Sequence, residues 1–339
     1  MEINTVFEII KKKQLIPLIR LYGLFTPFYR LGYIAALVDN GYFHLLAKKP
    51  LALDELMSTM GIEPEQSASL QAWLQVGVRL HEISSKNGKF GLDGISKQLA
   101  KLSENDAYLA ITQEVAILHH NLILKTPAQL KSGKKWSMSD QDGEMIARSS
   151  RILEPLQNEV IHTLYPKLGP IRLLEVGCGS GIYIKQAAIS NPQLTAVGLE
   201  LQAPVAAMAR QNMETWRLQE RVTIEVGDVR AKSFADRFDL VTSYNNIYYF
   251  PVAERIELLK HLKGLLKPGG SLFLTTGCQG GSLAMELLNL WGATTQGCDR
   301  LPDADEMVAQ LESAGFVNVT KKSLLPGDAF YVFIGTGPS

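Results

Sequence analysis

Residues 173–181 read LLEVGCGSG. An apolar run carries one acidic residue, Glu175, and then gives way to glycines at 177, 179 and 181 that alternate with Cys178 and Ser180. A short apolar run bounded by glycine reads as a buried strand that ends in a tight turn. Glycine at such a turn lets the backbone come close to a ligand, and in an open parallel sheet ligands settle at the carboxyl ends of the strands, where the strand order reverses.

The sequence downstream supplies that sheet. Apolar runs recur at IRLLEV, LTAVGLE, VTIEV, FDLVTS and SLFLTT, separated by helical patterns, and VNV and FYVFI follow near the end. Strands separated by helices imply a parallel sheet covered on both faces. The helix from about Ala253 to Leu266 carries an apolar stripe of Leu258, Leu259, Leu262, Leu265 and Leu266, and Lys267-Pro268-Gly269-Gly270 stops it. The glycine spacing is GxGxG, whereas the dinucleotide fingerprint is GxGxxG. A carboxylate at position 175 would repel a pyrophosphate and suit a ligand that carries an ammonium and a sulfonium. Both features disfavour a nicotinamide cofactor. Glu200 ends LTAVGLE at the distance expected for an acidic residue on ribose hydroxyls, the alternative being a solvent-exposed strand end.

Upstream the grammar is different. Gly61 closes a short helix, Pro64 opens the next, and Leu70, Trp73, Leu74, Gly77 and Leu80 fall on one helical face. In HEISSKNGKFGL, residues 81–92, Asn87-Gly88 between Ile83 and Phe90 is a hairpin signal. Helix, helix and hairpin make a winged-helix pattern. The helix that would read DNA has one Arg and no Lys against Glu65 and Glu82, which is poor material for neutralising phosphates. No nucleic-acid partner is expected.

Composition bounds the rest. The 339 residues are enough for two cores, and 34 basic residues balance 34 acidic ones, so no global field selects an anionic partner. Cys178, Cys278 and Cys298 form no metal-ligand spacing and no disulfide framework, which fits a reducing cytoplasm. Lys11 to Lys13 are not followed by a signal-peptide pattern. Leu15 to Val38 is apolar, but Pro17, Arg20, Pro27 and Arg30 interrupt it; it reads as a buried helical arm or dimer interface, without stable membrane insertion. The expected division is 1–105 for the helical, winged-helix-like domain, 106–165 for linker helices over the pocket, and 166–339 for the sheet domain.

LLEVGCGSG, VGLE, VTIEVGDVR, FDLVTSYNNIYYF and LLKPGGSLFLTT, in that order, resemble the successive motifs of class I S-adenosylmethionine-dependent methyltransferases over about the last 170 residues. LGYIAALVDNGYFHLLAKKPLALDELMSTMGI is similar, more diffusely, to the dimerisation region of small-molecule O-methyltransferases. The resemblance implies a Rossmann-like α/β fold with a seven-stranded sheet and a reversed last hairpin, FVNVT and FYVFI. It implies S-adenosyl-L-methionine as cofactor, S-adenosyl-L-homocysteine as product, a homodimer, and a small acceptor in a biosynthetic pathway. The cofactor would lie on Glu175, Gly177, Cys178, Gly179 and Gly181. Glu200 would meet the ribose and Asp228 and Val229 the adenine, with Leu201, Gly227, Tyr244 and Asn245 also in contact with the cofactor. Asp228 could equally be an ordinary turn residue.

These enzymes carry a catalytic His followed by Asp-Trp after the fourth strand; the matching NNIYYF here places Tyr248 at the His and Tyr249-Phe250 at the pair. A phenol with a pKa of about 10 is a poor base at neutral pH. His119 and His120 are the other candidates for proton transfer, with at most one pointing inward. Tyr183 and Tyr249 could enclose a flat acceptor or simply pack. Met285, Leu288 and Trp291 lie on a helix that either caps the acceptor pocket or covers the sheet. Arg148, Arg151 and Glu154 reach the acceptor or cofactor, or remain exposed helix charges. The expected activity is methyl transfer to oxygen, nitrogen or carbon of an apolar or aromatic metabolite. The rivals are a cofactor-binding regulator or inactive scaffold, and a nicotinamide-dependent oxidoreductase.

Overall fold

In the computed structural model residues 15–102 and 105–338 are described, so Lys11 to Lys13 lie outside the described residues. The chain divides into two compact units, Met1–His120 and Asn121–Ser339.

The first unit opens on the helix Leu15–Asp39. Strand β1 (Leu51–Ala52) is followed by helices Leu53–Met60 and Ser67–Arg79, then by strands β2 (Ile83–Lys86) and β3 (Lys89–Leu92). Gly61 ends the first of these helices with φ 65°, a left-handed cap that favours glycine. Asn87 (φ 51°) and Gly88 (φ 72°) turn the hairpin, as their positive φ preference requires. Strand β1 adds to β3, so the sheet order is β1-β3-β2. Leu37, Phe43, Leu56, Leu74 and Ile83 form the core. Gly77 sits on the predicted apolar face because the Tyr33 ring occupies the space a side chain would fill. Glu82, counted in the sequence among the acidic residues that disfavour phosphate binding, is fully buried, paired with Arg30 and accepting the Ser96 N–H at 2.7 Å.

The first helix, expected as a buried arm or a dimer interface, is not a buried arm along its whole length. Tyr33, Ile34, Leu37 and Val38 are buried, but Ile16, Ile19, Tyr22, Leu24, Phe28 and Tyr29 are exposed in the single chain, so only its last third is a buried element. By length and composition alone it also meets the requirement of a membrane span, a test that the core helix of a soluble protein passes too.

The second unit is built on strands β4 (Arg172–Val176), β5 (Thr195–Glu200), β6 (Val222–Val226), β7 (Phe238–Tyr244), β8 (Leu266–Gly277), β9 (Val317–Ser323) and β10 (Phe330–Thr336), in spatial order β6-β5-β4-β7-β8-β10-β9. Strands β4 to β8 are parallel, whereas β10 is antiparallel to both β8 and β9, which gives the reversed last hairpin. Alternation along β4 assigns its residues to two cores. Leu174 and Val176 pack with Leu258, Leu259 and Leu262 on one face, and Leu173 with Ile184, Ala206 and Ala209 on the other. The helix Val252–Leu265 ends where the sequence predicts, but Lys267-Pro268-Gly269-Gly270 is drawn into the start of β8, with a register shift against β7. The order turns back on itself at β4, with β5 on one side and β7 on the other. That reversal opens the crevice in which the glycine turn lies.

Candidate active site

Four strand ends and one covering segment line a single cleft in the second unit. Gly177, Cys178, Gly179 and Tyr183 follow β4; Glu200, Leu201 and Gln202 close β5; Gly227, Asp228, Val229 and Arg230 follow β6; and Tyr244, Asn245, Asn246, Tyr248, Tyr249 and Phe250 follow β7. Met138, Gln141, Gly143, Ile146, Ala147, Ser150 and Arg151 cover them.

The turn after β4 is a backbone structure. Gly177 (φ 69°), Gly179 (φ 53°) and Gly181 (φ 77°) are all left-handed, a conformation in which a side chain costs about 1–2 kcal/mol. The Gly177 and Cys178 N–H groups donate to the Leu199 carbonyl at 2.8 and 3.1 Å, which ties the turn to β5. A Cβ on Gly177 would lie 2.5 Å from Asn246 Nδ2, whereas one on Gly179 would meet nothing within 4 Å. Gly177 is therefore required by the fold, and Gly179 keeps the cleft open. Gly181 is the N-cap of the helix Ile182–Ser190, packs against Met213, and does not line the cleft.

Glu200 braces this turn. Its Oε2 accepts the Gly179 N–H at 3.1 Å and its Oε1 the Gln202 N–H at 3.0 Å. A carboxylate has about four lone-pair directions, so both oxygens keep acceptor capacity toward the cleft. Asp228 caps the short turn Val229–Ala231 through the Arg230 N–H and is also gripped by the Arg230 side chain at 2.7 Å, while Arg230 reaches Glu254 at 3.0 Å. The hydrogen bonds from Arg230 hold the Asp228 carboxyl below the usual carboxylate range. Asp228 thus combines the turn role with a place on the cleft wall.

Glu175 is placed differently from the expectation. It is 1% exposed, lies behind the wall, and neither carboxylate oxygen has a hydrogen-bond partner. Burial pushes its pKa well up. Tyr165, Tyr183, Tyr244 and Cys178 are its electrostatic neighbours. The hydroxyls of Tyr165 and Tyr244 share a hydrogen bond, and the Tyr183 and Tyr244 rings meet edge-on at 5.1 Å. Burial likewise raises the Cys178 thiol and the Tyr244 hydroxyl well above their ordinary values.

The turn Ile247–Tyr249 carries Tyr248 and Tyr249 into the wall, their rings 4.9 Å apart. Trp291 meets Tyr249 edge-on at 5.4 Å. Met285 and Trp291, expected on the pocket surface, sit behind the tyrosines in a core with Leu301, Phe330 and Val332. Their helix, Leu283–Thr294, has one apolar face, and sheet and tyrosines consume it. His119 and His120 belong to the first unit and are not cleft-lining residues. A π-helical turn, Glu114–His119, sets them apart: His119 Nε2 is 3.2 Å from Glu114, and exposed His120 stacks near Phe28 at 5.3 Å. Asn246, Gln202 and Arg230 were not singled out from the sequence. The Asp142-Gly143 pair was the available signal for the covering segment: Asp142 caps the helix Gly143–Ser149, and a Cβ on Gly143 would lie 2.5 Å from Gln202.

Residues 173–270 match the family description "Methyltransferase domain". A malonyl-[acyl-carrier protein] O-methyltransferase of Legionella pneumophila is 28% identical over 169 residues, 48% of this chain and 55% of the relative. The chain thus spans about half the length of the curated relatives it matches. The mitomycin 7-O-methyltransferase MmcR superposes with a TM-score of 0.77 at 16% identity, over 96% of this chain and 99% of that one. The N,N-8-amino-8-demethyl-D-riboflavin dimethyltransferase RosA of Streptomyces davawensis superposes at 0.67 and 16%, over 94% and 98%. These likenesses extend the shared fold over nearly the whole chain, and within it the stretch that matches the methyltransferase domain, residues 173–270, lies on the Rossmann-like sheet.

Proposed function

We propose that the cleft binds S-adenosylmethionine and that the protein transfers its methyl group to a small, largely apolar or aromatic acceptor. The observation that carries this reading is the carboxylate-braced turn: Gly179, open toward the cleft, is held by Glu200 at the sheet's reversal. The residues present fit the cofactor. Glu200 offers acceptors for a ribose diol, and Asp228 and Val229 a polar and an apolar contact for adenine. Arg151, which pairs with Glu154 at 3.4 Å, brings a guanidinium to the cleft wall.

When bound, the cofactor supplies a methyl group already activated on a sulfonium, so positioning is the protein's main contribution. Among the described residues lining the cleft there is no histidine or lysine. Tyr248 and Tyr249 give the acceptor end an aromatic wall in place of a base, which suits an acceptor whose nucleophilic atom needs no proton removed by the protein. The acceptor atom is oxygen, nitrogen or carbon; the names of the similar proteins include both an O- and an N-methyltransferase. Tyr248→Phe is expected to keep turnover within about twofold, since general-base loss costs about 10²-fold or more.

The exposed stripe Ile16, Ile19, Tyr22, Leu24, Phe28 and Tyr29 supports self-association as a homodimer, and a monomeric mass by light scattering would count against it. Three buried, unpaired cysteines support a cytoplasmic setting. The cofactor reading is tested by calorimetric titration with S-adenosylhomocysteine and with NADH, followed by tritium transfer from labelled S-adenosylmethionine into a metabolite extract. Binding of S-adenosylhomocysteine with label transfer is expected. Exclusive NADH binding would overturn the cofactor, and tight cofactor binding without transfer would favour a regulator.

A further inference from the structure

In the helix Val252–Leu265, positions 255, 258, 259 and 262 share one face. Three are buried leucines, and the fourth is Arg255, fully buried among them. An enclosed guanidinium is costly to desolvate, and hydrophobic packing there would serve stability at least as well. What Arg255 holds is the wall of the cleft. Its Nε donates to the Phe250 carbonyl at 3.0 Å and its Nη2 to the Arg300 carbonyl at 2.5 Å. One fork thus joins the tyrosine turn to the segment Asp299–Leu301.

That segment is itself bonded on both sides. The Asp299 N–H donates to the Tyr248 carbonyl at 3.0 Å, and Asp299 Oδ2 accepts the Val252 N–H at 3.0 Å. Burial opposes ionisation of Asp299, yet the Val252 and Arg300 amides and the Arg255 charge hold its carboxyl below the usual range. On the far side, Asn289 Oδ1 accepts the Leu301 N–H at 2.9 Å, and the space a Cβ on Gly292 would need is taken by the Asp299 carbonyl. The helix Leu283–Thr294, the strut Asp299–Leu301 and the turn Ile247–Phe250 are therefore fastened in series.

We propose that Arg255 is a positioning residue for the acceptor end of the cleft, locking the Tyr248–Tyr249 wall to the helix behind it so that the two keep one geometry. Assigning that end to the acceptor rests on the methyltransferase reading; the fastening itself does not. The experiment is fluorine NMR of fluorotyrosine-labelled protein, with the Tyr248 and Tyr249 resonances assigned by Tyr→Phe variants, beside calorimetric titration with S-adenosylhomocysteine. In Arg255→Met both resonances should shift or broaden, and Arg255→Lys, which keeps a donor, should recover part of the wild-type spectrum. Gly292→Ala, which pushes the strut from its other side, should reproduce the change. S-adenosylhomocysteine affinity should stay within about threefold in all three, because Glu200 and the glycine turn are held by separate bonds. Wild-type tyrosine resonances in folded Arg255→Met overturn the proposal, as does an equal loss of cofactor affinity. If Arg255→Met does not fold, unchanged resonances in both Arg255→Lys and Gly292→Ala overturn it. Failure of the wild type to bind S-adenosylhomocysteine would sink the methyltransferase reading and leave the spectral comparison standing.

Discussion

Glu175→Gln tests the least usual feature of the site. The wild-type carboxyl is buried with both oxygens unpartnered, and burial raises its pKa well above the ordinary value. In the unfolded chain a glutamate ionises near its ordinary pKa of about 4.3. The folded protein therefore holds the proton to higher pH than the unfolded one. Stability from this group is fully present below the unfolded pKa and is lost as pH rises through the folded pKa. Each pH unit inside that window removes about 1.4 kcal/mol, or about 4 °C in Tm for a cooperative unit of roughly 200 residues. Glutamine keeps the shape and cannot ionise. Calorimetric melts from pH 5 to 8 should show the variant gaining on wild type as pH rises, with the gap narrowing toward pH 5. Parallel melting curves over this range would refute the reasoning, since Glu175 would then be ionised in the fold as it is in the unfolded chain.

Two further outcomes follow from the turn. Glu200→Gln removes the charge from an acceptor shared by the Gly179 and Gln202 amides, and hydrogen bonds to charged groups contribute about 1.5–3 kcal/mol. The S-adenosylhomocysteine Kd should rise about 10- to 100-fold by calorimetry, and an unchanged Kd would remove Glu200 from the cofactor site. Gly177→Ala and Gly179→Ala should separate: at 177 the added methyl strikes Asn246 and lowers Tm, whereas at 179 it projects into open cleft and costs only the left-handed strain of about 1–2 kcal/mol while blocking the ligand. Equal Tm losses in the two variants would count against this division of roles.

The sheet was legible because its rules are local. The apolar runs from Arg172 to Phe330 became strands, and Asn87-Gly88 and Gly61 took the left-handed conformations their chemistry favours. Glu175 shows where a correct rule was outweighed. A residue within a parallel strand is buried whichever face it takes, yet the attraction of a carboxylate for a charged ligand drew it toward the cleft surface in the sequence reading. Met285 and Trp291 were ambiguous for another reason: an apolar helix face is visible in sequence, but whether sheet or pocket receives it is decided by distant residues such as Phe330 and Val332. Arg255 did leave a signal, being a cation three and four positions before Leu258 and Leu259 on an apolar stripe.

The two ends of the cleft obey different physics, and Asn246 is where they meet. The end proposed for the cofactor is made of backbone: left-handed glycines, amides on the Leu199 carbonyl, and one carboxylate that gathers two N–H groups. Such a turn tolerates few residues, so its chemistry can be read from its spelling. The end proposed for the acceptor is made of side chains from three elements that touch only after folding, and Arg255 and Asp299 fasten them. Asn246 donates to the Val176 carbonyl at 3.1 Å and crowds Gly177, so it anchors the last residue of the β7 segment that the turn constrains. Beyond it, the Tyr249 N–H donates to the Asn246 carbonyl at 3.0 Å, the Tyr249 ring meets Trp291, and the strut and Arg255 hold the Tyr248 and Phe250 carbonyls. The bonds that Arg255 and Asp299 make to this wall are separate from those that hold the glycine turn, so under the proposed methyltransferase reading the wall can depart from the His-Asp-Trp pattern while the turn keeps its own.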